Sequence, residues 1–329
     1  MRTSNQFMLC LCALFLISSV TNAADPKAVV FTDPEKAGLE YELQGEYRGE
    51  VKSEDGNEQI GVQVIALGDG KFRGVGFHGG LPGEGWLRGD KKKTGEGQLE
   101  DGVLRFKVED ADAEVKDGKL TVRVAGQTIA EFEKVTRKSP TLGAAPPEGA
   151  VVLFDGTSVD AFDKGKLVDG KYLAASGVSS KKKFGDHTMH IEFRTPFMPK
   201  SSGQGRGNSG VYIQGRYEMQ VLDSFGLEGE NNECGGIYSI SKPAVNMCYP
   251  PLAWQTYDFD FTAARYDDAG KKIKNARTTV KHNGVVIHDD LELTHGTPGH
   301  NPEGPGPDGL FLQDHGNPVV FRNIWVVEK

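Results

Sequence analysis

Apolar and polar residues alternate with a period of two along much of the chain, a pattern that predicts half-buried β-strands. It is clearest between residues 208 and 223. Two short strands are predicted there, Ser209–Gln214 and Arg216–Leu222, and Gly215 between them predicts a bulge or a tight bend.

The second of these strands has two chemically different faces. Tyr217, Met219 and Val221 fall on one face, and Glu218 and Gln220 fall on the other. A strand with one packed face and one face of carboxylate and amide belongs to a sheet whose polar side meets water or a ligand. The same alternation recurs on several other strands, which favours a binding surface.

Two β-rich regions are predicted, separated by a segment without periodicity. In the first, residues 24–136, we expect no helix and the strands Gln59–Leu67, Lys71–Phe77, Val103–Val108, Leu120–Val124 and Thr128–Val135. Residues 137–149 contain three prolines and are predicted to be an interdomain linker.

The second region, residues 150–329, is again strand and turn to its end. The predicted strands, besides the pair above, are Val151–Phe154, Thr188–Arg194, Gly236–Ile240, Thr256–Thr262, Thr278–His282, Val285–His288, Leu310–Asp314 and Val319–Val327. Many short, evenly spaced antiparallel strands predict an all-β fold, with a sandwich or jelly roll in this region and a smaller β-rich domain before it.

The first 23 residues have the composition of a secretory signal peptide. Arg2 supplies a positive start, Phe7–Val20 is mostly apolar, and small residues precede Ala24. No later segment reaches about 20 consecutive apolar residues. We therefore expect export to the periplasm or the medium, with no membrane span after cleavage of the signal.

Composition narrows the remaining classes of function. The formal net charge is −8, so nucleic acid is a poor candidate partner. The 43 glycines suit a turn-rich β protein, and the absence of helical interfaces or heptads favours a monomer. Cys234 and Cys248 are the cysteines that remain after the signal, and they are left open between a disulfide and two buried thiols.

Polar residues from alternating strands provide a candidate binding surface. Neighbouring antiparallel strands lie about 4.8 Å apart, so side chains on one sheet face form a continuous polar floor if their registers agree. The candidates are His190, Glu192, Arg194, Gln214, Glu218, Gln220, Gln313, Asp314 and His315, with Tyr212, Tyr238, Trp254 and Trp325 as aromatic walls. Trp254 and Trp325 are alternatively core residues, an interpretation that is favoured for Trp325.

The spacing Glu218-x-Gln220-x-x-Asp223 invites comparison with laminarinase-type glycosidases, in which the strand carries Glu-x-Asp-x-x-Glu. Gln220 cannot ionise, and Asp223 has a shorter side chain than glutamate. Five residues along a regular strand also separate two carboxylates by ~17 Å and place them on opposite faces. Retaining hydrolysis needs about 5–5.5 Å, so this spacing does not favour double displacement.

The segment 148–329 resembles the 3-keto-disaccharide hydrolase family, whose domain is concanavalin-A-like. The resemblance rests on several motifs in order: V-L-F-D-G at 152–156, K-F-G-D at 183–186, G-N-S-G-V at 207–211, Y-E-M-Q-V-L-D at 217–223, the spacing Asn246…Pro251…Trp254, H-N-G-V-V at 282–286 and L-Q-D-H-G-N-P-V-V-F-R-N-I-W at 312–325. The usual Trp-Asn dipeptide of the family is Trp254-Gln255 here.

The resemblance implies an enzyme that cleaves 3-keto-glycosides, with an oligosaccharide or glycoside as its substrate. Such chemistry needs a base for the C2 proton, a cation or donor for the enolate oxygen and an acid for the leaving group. Glu218 is the candidate base, with His315 second, and Arg194, Arg216 or a divalent cation would stabilise the oxyanion. The candidate substrate-binding residues are Asn208, Gln214, Arg216, Gln220, Tyr238, Trp254, Gln313 and Asp314.

Other classes of function remain open from the sequence. The same sandwich occurs in lectins, so a glycan-binding module without catalytic activity is one alternative. A structural or adhesive exported protein and a laminarinase-like glycosidase are the others. Glu218 could also act only as a ligand of Arg216 or of a metal ion.

Overall fold

A computed structural model describes residues 29–53 and 56–329 of the chain. The predicted signal peptide lies outside these described residues. In the described part the fold is almost all β, as predicted, with one short α-helix, α1 (Gly38–Leu43), which the sequence did not predict. No helix in this part of the chain is both long and apolar enough to cross a membrane.

The first group of strands closes into an eight-stranded antiparallel barrel. Each strand pairs with the next along the chain, and the first also pairs with the last. The strands are β1 (Gly45–Ser53), β2 (Gly56–Gly68), β3 (Lys71–His78), β4 (Lys92–Glu100), β5 (Val103–Val108), β6 (Ala111–Lys116), β7 (Lys119–Val124) and β8 (Gln127–Val135).

The sequence predicted five of these strands and missed β1, β4 and β6. The sequence of β4, K-K-T-G-E-G-Q-L-E, is mostly polar and has two glycines, so its own propensity for strand is low. Pairing with β3 on one side and β5 on the other supplies the stability that the local sequence lacks. Barrel closure therefore depends on contacts that no local pattern reveals.

Strand β3 joins the barrel to the second group of strands. Phe72 packs into the barrel core, whereas Val75 and Phe77 point the other way and pack into the larger core of the second group. The ring of Phe77 contacts that of Trp86 edge-on, with 5.2 Å between the centroids. Phe72, Phe77 and Trp86 are thus core residues.

The second group forms two sheets and a small hairpin. The larger sheet has the order β10-β11-β22-β13-β16-β19-β20, with β9 also paired to β22. Its strands are β9 (Val151–Phe154), β10 (Leu167–Val168), β11 (Tyr172–Ala174), β13 (His187–Arg194), β16 (Gln255–Thr262), β19 (Ala276–His282), β20 (Val285–Leu293) and β22 (Val320–Glu328).

The smaller sheet has four strands in the order β12-β21-β14-β15. They are β12 (Val178–Phe184), β14 (Ser209–Ile213), β15 (Tyr217–Val221) and β21 (Asp308–Leu312), and β17 (Arg265–Tyr266) and β18 (Lys272–Lys274) form the separate hairpin. Inward-facing side chains of the two sheets, such as Ile191 and Tyr257 from the larger and Val211 and Met219 from the smaller, share one hydrophobic core. This arrangement is the predicted β-sandwich.

The strand predicted at Gly236–Ile240 is wrong. The backbone turns there, and it forms isolated bridges from Ile237 to Met219 and Ser241. This segment lies along the free edge of β15, where Tyr238 N–H donates to the carbonyl of Glu218. The apolar residues that suggested a strand instead cover the edge of the smaller sheet.

The segment 137–149, predicted to be a linker, packs along the outer face of the larger sheet. Thr141 Oγ1 donates to Asp258 Oδ2 at 2.7 Å, and Gly143 N–H donates to Glu192 Oε1 at 2.5 Å. The carbonyl of Ala144 accepts from Trp325 Nε1 at 3.2 Å. The segment therefore covers polar side chains that would otherwise meet solvent, while the domain boundaries assigned around it stay a prediction.

Cys234 and Cys248 are free, buried thiols, so the candidate disulfide is not formed in this structure. The sulfur of Cys234 lies 3.2 Å from the hydroxyl of Tyr257, and that of Cys248 donates to the carbonyl of Leu222 at 3.5 Å. Both thiols thus have polar partners inside the sandwich core.

Candidate functional site

The hairpin β14–β15 carries the candidate site on its outer face. Gln214 and Gly215 have φ angles of 51° and 61°, and Arg216 N–H donates to the carbonyl of Ile213. Together with Arg216 they form a three-residue connection between the paired residues Ile213 and Tyr217. The turn fixes a register in which Tyr212 lies directly opposite Glu218.

Glu218 is a buried carboxylate with an aromatic hydroxyl as its partner. The hydroxyl of Tyr212 donates to Glu218 Oε2 at 2.8 Å, and Gln313 Nε2 donates in turn to that hydroxyl at 3.0 Å. Burial raises the pKa of the Glu218 carboxyl from its ordinary 4.5 to about 7, although the hydrogen bond from Tyr212 opposes the rise. The group is therefore balanced between acid and carboxylate near neutral pH.

Gly210 leaves the space that the Glu218 side chain occupies. A Cβ at position 210 would lie 2.5 Å from Glu218 Oε1 and 2.9 Å from the ring of Tyr212. Any side chain there would displace the carboxylate from its position beside the tyrosine. This contact gives a physical reason for the glycine in the G-N-S-G-V motif.

Gln220 and Asn208 form the neighbouring part of the floor. Gln220 Nε2 donates to Asn208 Oδ1 at 2.8 Å and to the carbonyl of Ser209 at 2.9 Å. Asn208 Nδ2 donates to the carbonyl of Gln204 at 2.8 Å. These amides hold one another and fix the loop that carries Gln204.

Two loops raise walls around this floor. Thr297 Oγ1 accepts from Glu218 N–H at 2.8 Å, which holds the loop containing Pro298 and Gly299 against β15. The result is a cavity of about 190 Å³. Its lining residues are Gln204, Asn208, Tyr212, Glu218, Gln220, Tyr238, Pro298, Gly299, Gln313 and His315.

Gln313 offers an acceptor with no partner among the described residues. Its Nε2 is used by Tyr212, whereas its Oε1 is buried without a hydrogen bond. Buried polar atoms in proteins are nearly always paired. An acceptor of this kind in the wall of a cavity is suited to a ligand hydroxyl.

The structure thus brings together seven of the residues singled out from the sequence. They are Asn208, Tyr212, Glu218, Gln220, Tyr238, Gln313 and His315. The cavity also uses Gln204, Pro298 and Gly299, which were not predicted, because they lie in glycine- and proline-rich loops without strand periodicity.

Arg194 and Trp254, predicted as an oxyanion donor and a sugar-stacking wall, lie elsewhere. Arg194 is on β13 of the larger sheet, where it donates to the carbonyl of Thr32 at 3.2 Å. Its guanidinium lies 5.2 Å from the ring centre of Trp254, which Arg322 approaches to 4.0 Å. Alternation assigns a face of a strand but not the sheet to which the strand belongs, so it did not show that Arg194 lies outside this cavity.

Three further predicted binding residues point away from the cavity. Gln214 Nε2 donates to the carbonyl of Phe184 at 2.8 Å, and Arg216 bonds to Gln214 and to the carbonyl of Gly306. Asp314 accepts from the backbone of Gly316 within a turn. These side chains stabilise the loops beside the site and do not line it.

His190 and Glu192, the other members of the predicted polar floor, are fully buried beneath the segment 137–149. Burial opposes ionisation of Glu192, but hydrogen bonds from His190, Asn323, Gly143 and Arg322 outweigh it and lower its pKa to about 2. The pair belongs to a satisfied structural network on the outer face of the larger sheet, which the hydrophobic core separates from Glu218.

Asp223 does not share the cavity with Glu218. Its Oδ2 accepts from Arg206 Nε at 2.7 Å, and the Arg206 guanidinium also donates to the carbonyl of Ala66 in the barrel. A carboxylate buried against an arginine cannot act as the second group of a laminarinase-type pair. This geometry agrees with the argument from spacing against double displacement.

The donor set of the cavity does not form a recognisable metal centre. In residues 29–53 and 56–329 no three His, Cys, Asp or Glu side chains cluster as metal ligands. Glu218 and His315 are the carboxylate and the imidazole among the lining residues. We therefore assign no step to the divalent cation considered from the sequence.

The fold and the cavity together define a β-sandwich protein. Its polar sheet face carries a buried carboxyl group whose pKa is raised toward neutral pH. Residues 149–327 match the family of the 3-keto-alpha-glucoside-1,2-lyase-like domain. The match covers more than half of the chain, and the chain belongs to this family. It is accordingly a carbohydrate-active protein of the glycoside hydrolase type.

One solved structure agrees with this assignment. A crystal structure of a protein from Parabacteroides distasonis ATCC 8503, provisionally assigned as a glycosyl hydrolase, is 32% identical, with a TM-score of 0.50 over 56% of this chain and 85% of that one. A second structure from the same organism with the same assignment is 18% identical, with a TM-score of 0.41 over 55% and 94% of the two chains. No curated protein sequence matches the chain.

The raised pKa of Glu218 predicts a pH-dependent cost to stability. The carboxyl has a pKa of about 7 in the folded protein and an ordinary pKa of 4.5. Its contribution to the free energy of unfolding is therefore fully present below pH 4.5 and is lost as the pH rises through 7. Glu218→Gln should therefore be more stable than the wild type at pH 8, by up to about 3 kcal/mol, and show no such gain near pH 4. Chemical denaturation at both pH values measures the difference.

Glu148→Gln is the matched control, because Glu148 is exposed and its substitution should leave the stability unchanged at either pH. A Glu218→Gln variant with the same stability relative to wild type at pH 8 and at pH 4 would contradict a raised pKa.

Proposed function

We propose that this protein cleaves 3-keto-glycosides, with Glu218 as the base that removes the proton from C2 of the sugar. A 3-keto group acidifies the C2–H bond because the resulting carbanion is delocalised onto the ketone oxygen. The reaction then needs one base and donors for two oxygens, and it does not need two carboxylates on either side of C1. The candidate cavity has this composition, with one carboxylate among its lining residues.

The observation that supports the proposal is the burial, orientation and raised pKa of the Glu218 carboxyl in the cavity. Its carboxyl is buried, is oriented by Tyr212, and has a pKa of about 7. General bases work best when their pKa lies near the operating pH, because the group is then both deprotonated and sufficiently basic. A carboxylate that served only to bind a substrate would gain nothing from this costly burial.

The proposed reaction is an elimination followed by a hydration. Glu218 takes the C2 proton, and the electron pair of that bond forms an enediolate with the C3 oxygen. The enediolate collapses to a C1=C2 double bond, the bond from C1 to the glycosidic oxygen breaks, and the departing oxygen takes up a proton. Addition of water across C1=C2 then yields the free 3-keto sugar, so the sum is hydrolysis.

The remaining lining residues are assigned to the two oxygens and to the hydroxyls of the sugar. Tyr238 contributes a phenol to the cavity wall, and we assign it to the enolate oxygen. His315, which is half-buried in the cavity wall, is assigned to protonation of the leaving oxygen. Gln313 Oε1, which lacks a described partner, would accept from a sugar hydroxyl.

The location is part of the proposal. The signal-like composition of residues 1–23 supports export to the periplasm or the medium, where the enzyme would meet glycosides outside the cytoplasm.

The test is incubation of residues 24–329 with a 3-keto-glucoside and with its unoxidised parent, with and without a chelator, while release of the aglycone is followed. We expect release from the keto compound and not from the parent. Loss of the base in Glu218→Gln should slow release by at least about 10²-fold. Circular dichroism shows whether the variant is folded, and Glu148→Gln controls for loss of a carboxylate on the surface.

Three outcomes would count against the proposal. Release from the parent glycoside would indicate an ordinary glycosidase, and binding of intact glycans without any release would indicate a binding module. Full activity of a folded Glu218→Gln variant would remove this residue from the mechanism.

Tyr212→Phe tests the tuning of the base by its pH profile. The Tyr212 hydrogen bond lowers the pKa of Glu218, so its removal should raise that pKa above 7. The acid limb of the kcat/KM profile, near pH 7 in the wild type, should move to higher pH, with a larger loss of activity at pH 6 than at pH 9. A uniform loss at all pH values would show that the hydroxyl acts only in packing or in substrate binding.

A further inference from the structure

The interior of the barrel contains a second cavity, remote from Glu218 and lined almost entirely by apolar residues. Its volume is about 320 Å³. The walls consist of valine, alanine, leucine, isoleucine and one phenylalanine, with three glycines, from seven of the eight strands. The polar lining residues are confined to Lys93, Thr94, Glu109 and Asp110, at one end of the barrel.

The two ends of the barrel are filled differently. One end is packed by large side chains, including Tyr47, Phe72 and Phe132, and α1 adds Leu43 to that core. Toward the other end the inward-facing positions are small, with Ala111 and Ala113 on β6 and glycines on β3 and β4. An eight-stranded barrel is just wide enough for side chains to fill its interior or for one small ligand to occupy it.

The glycines account for the empty space. A Cβ at Gly97 would lie 2.5 Å from the Phe106 ring, and one at Gly95 would lie 2.4 Å from Val108, so these side chains lie flat against β4. Gly76 faces an opening, because a Cβ there would meet nothing closer than the carbonyl of Lys93 at 3.8 Å. Phe106 and Val108 thus cover β4, while the centre of the barrel is not packed.

The same end of the barrel is open to the outside. Strands β4 and β5 pair from Gly97↔Phe106 to Glu100↔Val103 and diverge beyond, and β1 pairs with β8 along only Glu46–Gly49. An ion pair of 2.7 Å between Lys93 and Glu109 spans the diverging strands at the surface. A ligand can therefore reach the apolar interior without disruption of the paired half of the barrel.

We propose that the barrel binds the alkyl chain of a small amphiphile with an uncharged head group. An empty apolar cavity open to water gains free energy when a hydrocarbon fills it. From Leu120 to Val124 along β7 it is ~14 Å long, which suits an extended chain of medium length. Lys93, Glu109 and Asp110 give the mouth one cation and two carboxylates, which disfavours an anionic head.

The test is isothermal titration calorimetry of the protein with octan-1-ol, decan-1-ol and sodium decanoate. Each buried CH₂ contributes about 0.8 kcal/mol, which corresponds to roughly fourfold in Kd, so decanol should bind roughly 16-fold more tightly than octanol. Decanol should also bind more tightly than decanoate. Naphthalen-2-ol serves as an aromatic probe of similar size and should bind more weakly than decanol.

Gly76→Leu fills the cavity and should abolish decanol binding, while Gly76→Ala should weaken it and provides the readout if the larger side chain prevents folding. Gly304→Leu is the matched control, because a Cβ there contacts nothing within 4 Å in a sandwich loop. Three results would overturn the proposal: no binding by the wild type, decanol binding by a folded Gly76→Leu variant equal to that of the wild type, or tighter binding of naphthalen-2-ol.

Discussion

Burial of Tyr217, Met219 and Val221 between the two sheets is the constraint on which the candidate site depends. Because side chains alternate along a strand, packing these three residues inward forces Glu218 and Gln220 onto the opposite face. A slip of one residue would bury the carboxylate in the core and expose the apolar residues, so the register is strongly specified. The three-residue turn of Gln214, Gly215 and Arg216 then places Tyr212 opposite Glu218.

As a result, the Glu218 carboxyl lies in an environment that disfavours its ionisation. The loops that carry Tyr238 and Thr297 bond to the backbone of Glu218 and raise the walls of the cavity, which removes the side chain from water. Gly210 keeps the position open for the carboxylate. The free energy that the sandwich core provides thus supports a group that destabilises the fold at neutral pH, as is common at catalytic sites.

Local patterns in the sequence predicted what depends on a single strand or motif. The period of two identified β15 and the outward direction of Glu218, and motif order identified Gln313 and His315 as its companions. These local patterns did not predict that Arg194 and Glu192 belong to the other sheet, because strand order depends on pairing between distant segments. The closed barrel was missed for the same reason, since β4 is a strand only through its neighbours.

One polar face of the sandwich is covered and the other is partly open, and this difference arises from contacts between segments distant in sequence. The face that carries His190 and Glu192 is covered by the segment 137–149 and is satisfied internally. The face that carries Glu218 is left partly open between two loops. Inspection of the two strands alone shows the same alternation of charged and apolar residues, so only the tertiary structure separates a structural network from a candidate active site.

The most direct test of Glu218 as the C2 base is a kinetic isotope effect with a 3-keto-glucoside that carries deuterium at C2. Proton removal by Glu218 predicts slower aglycone release from the deuterated substrate than from the protiated one, measured as kcat/KM. It also predicts that wild-type protein in heavy water introduces deuterium at C2 of the recovered sugar, whereas Glu218→Gln does not. Equal rates for the two substrates, with no deuterium at C2 of the sugar released in heavy water, would contradict the account.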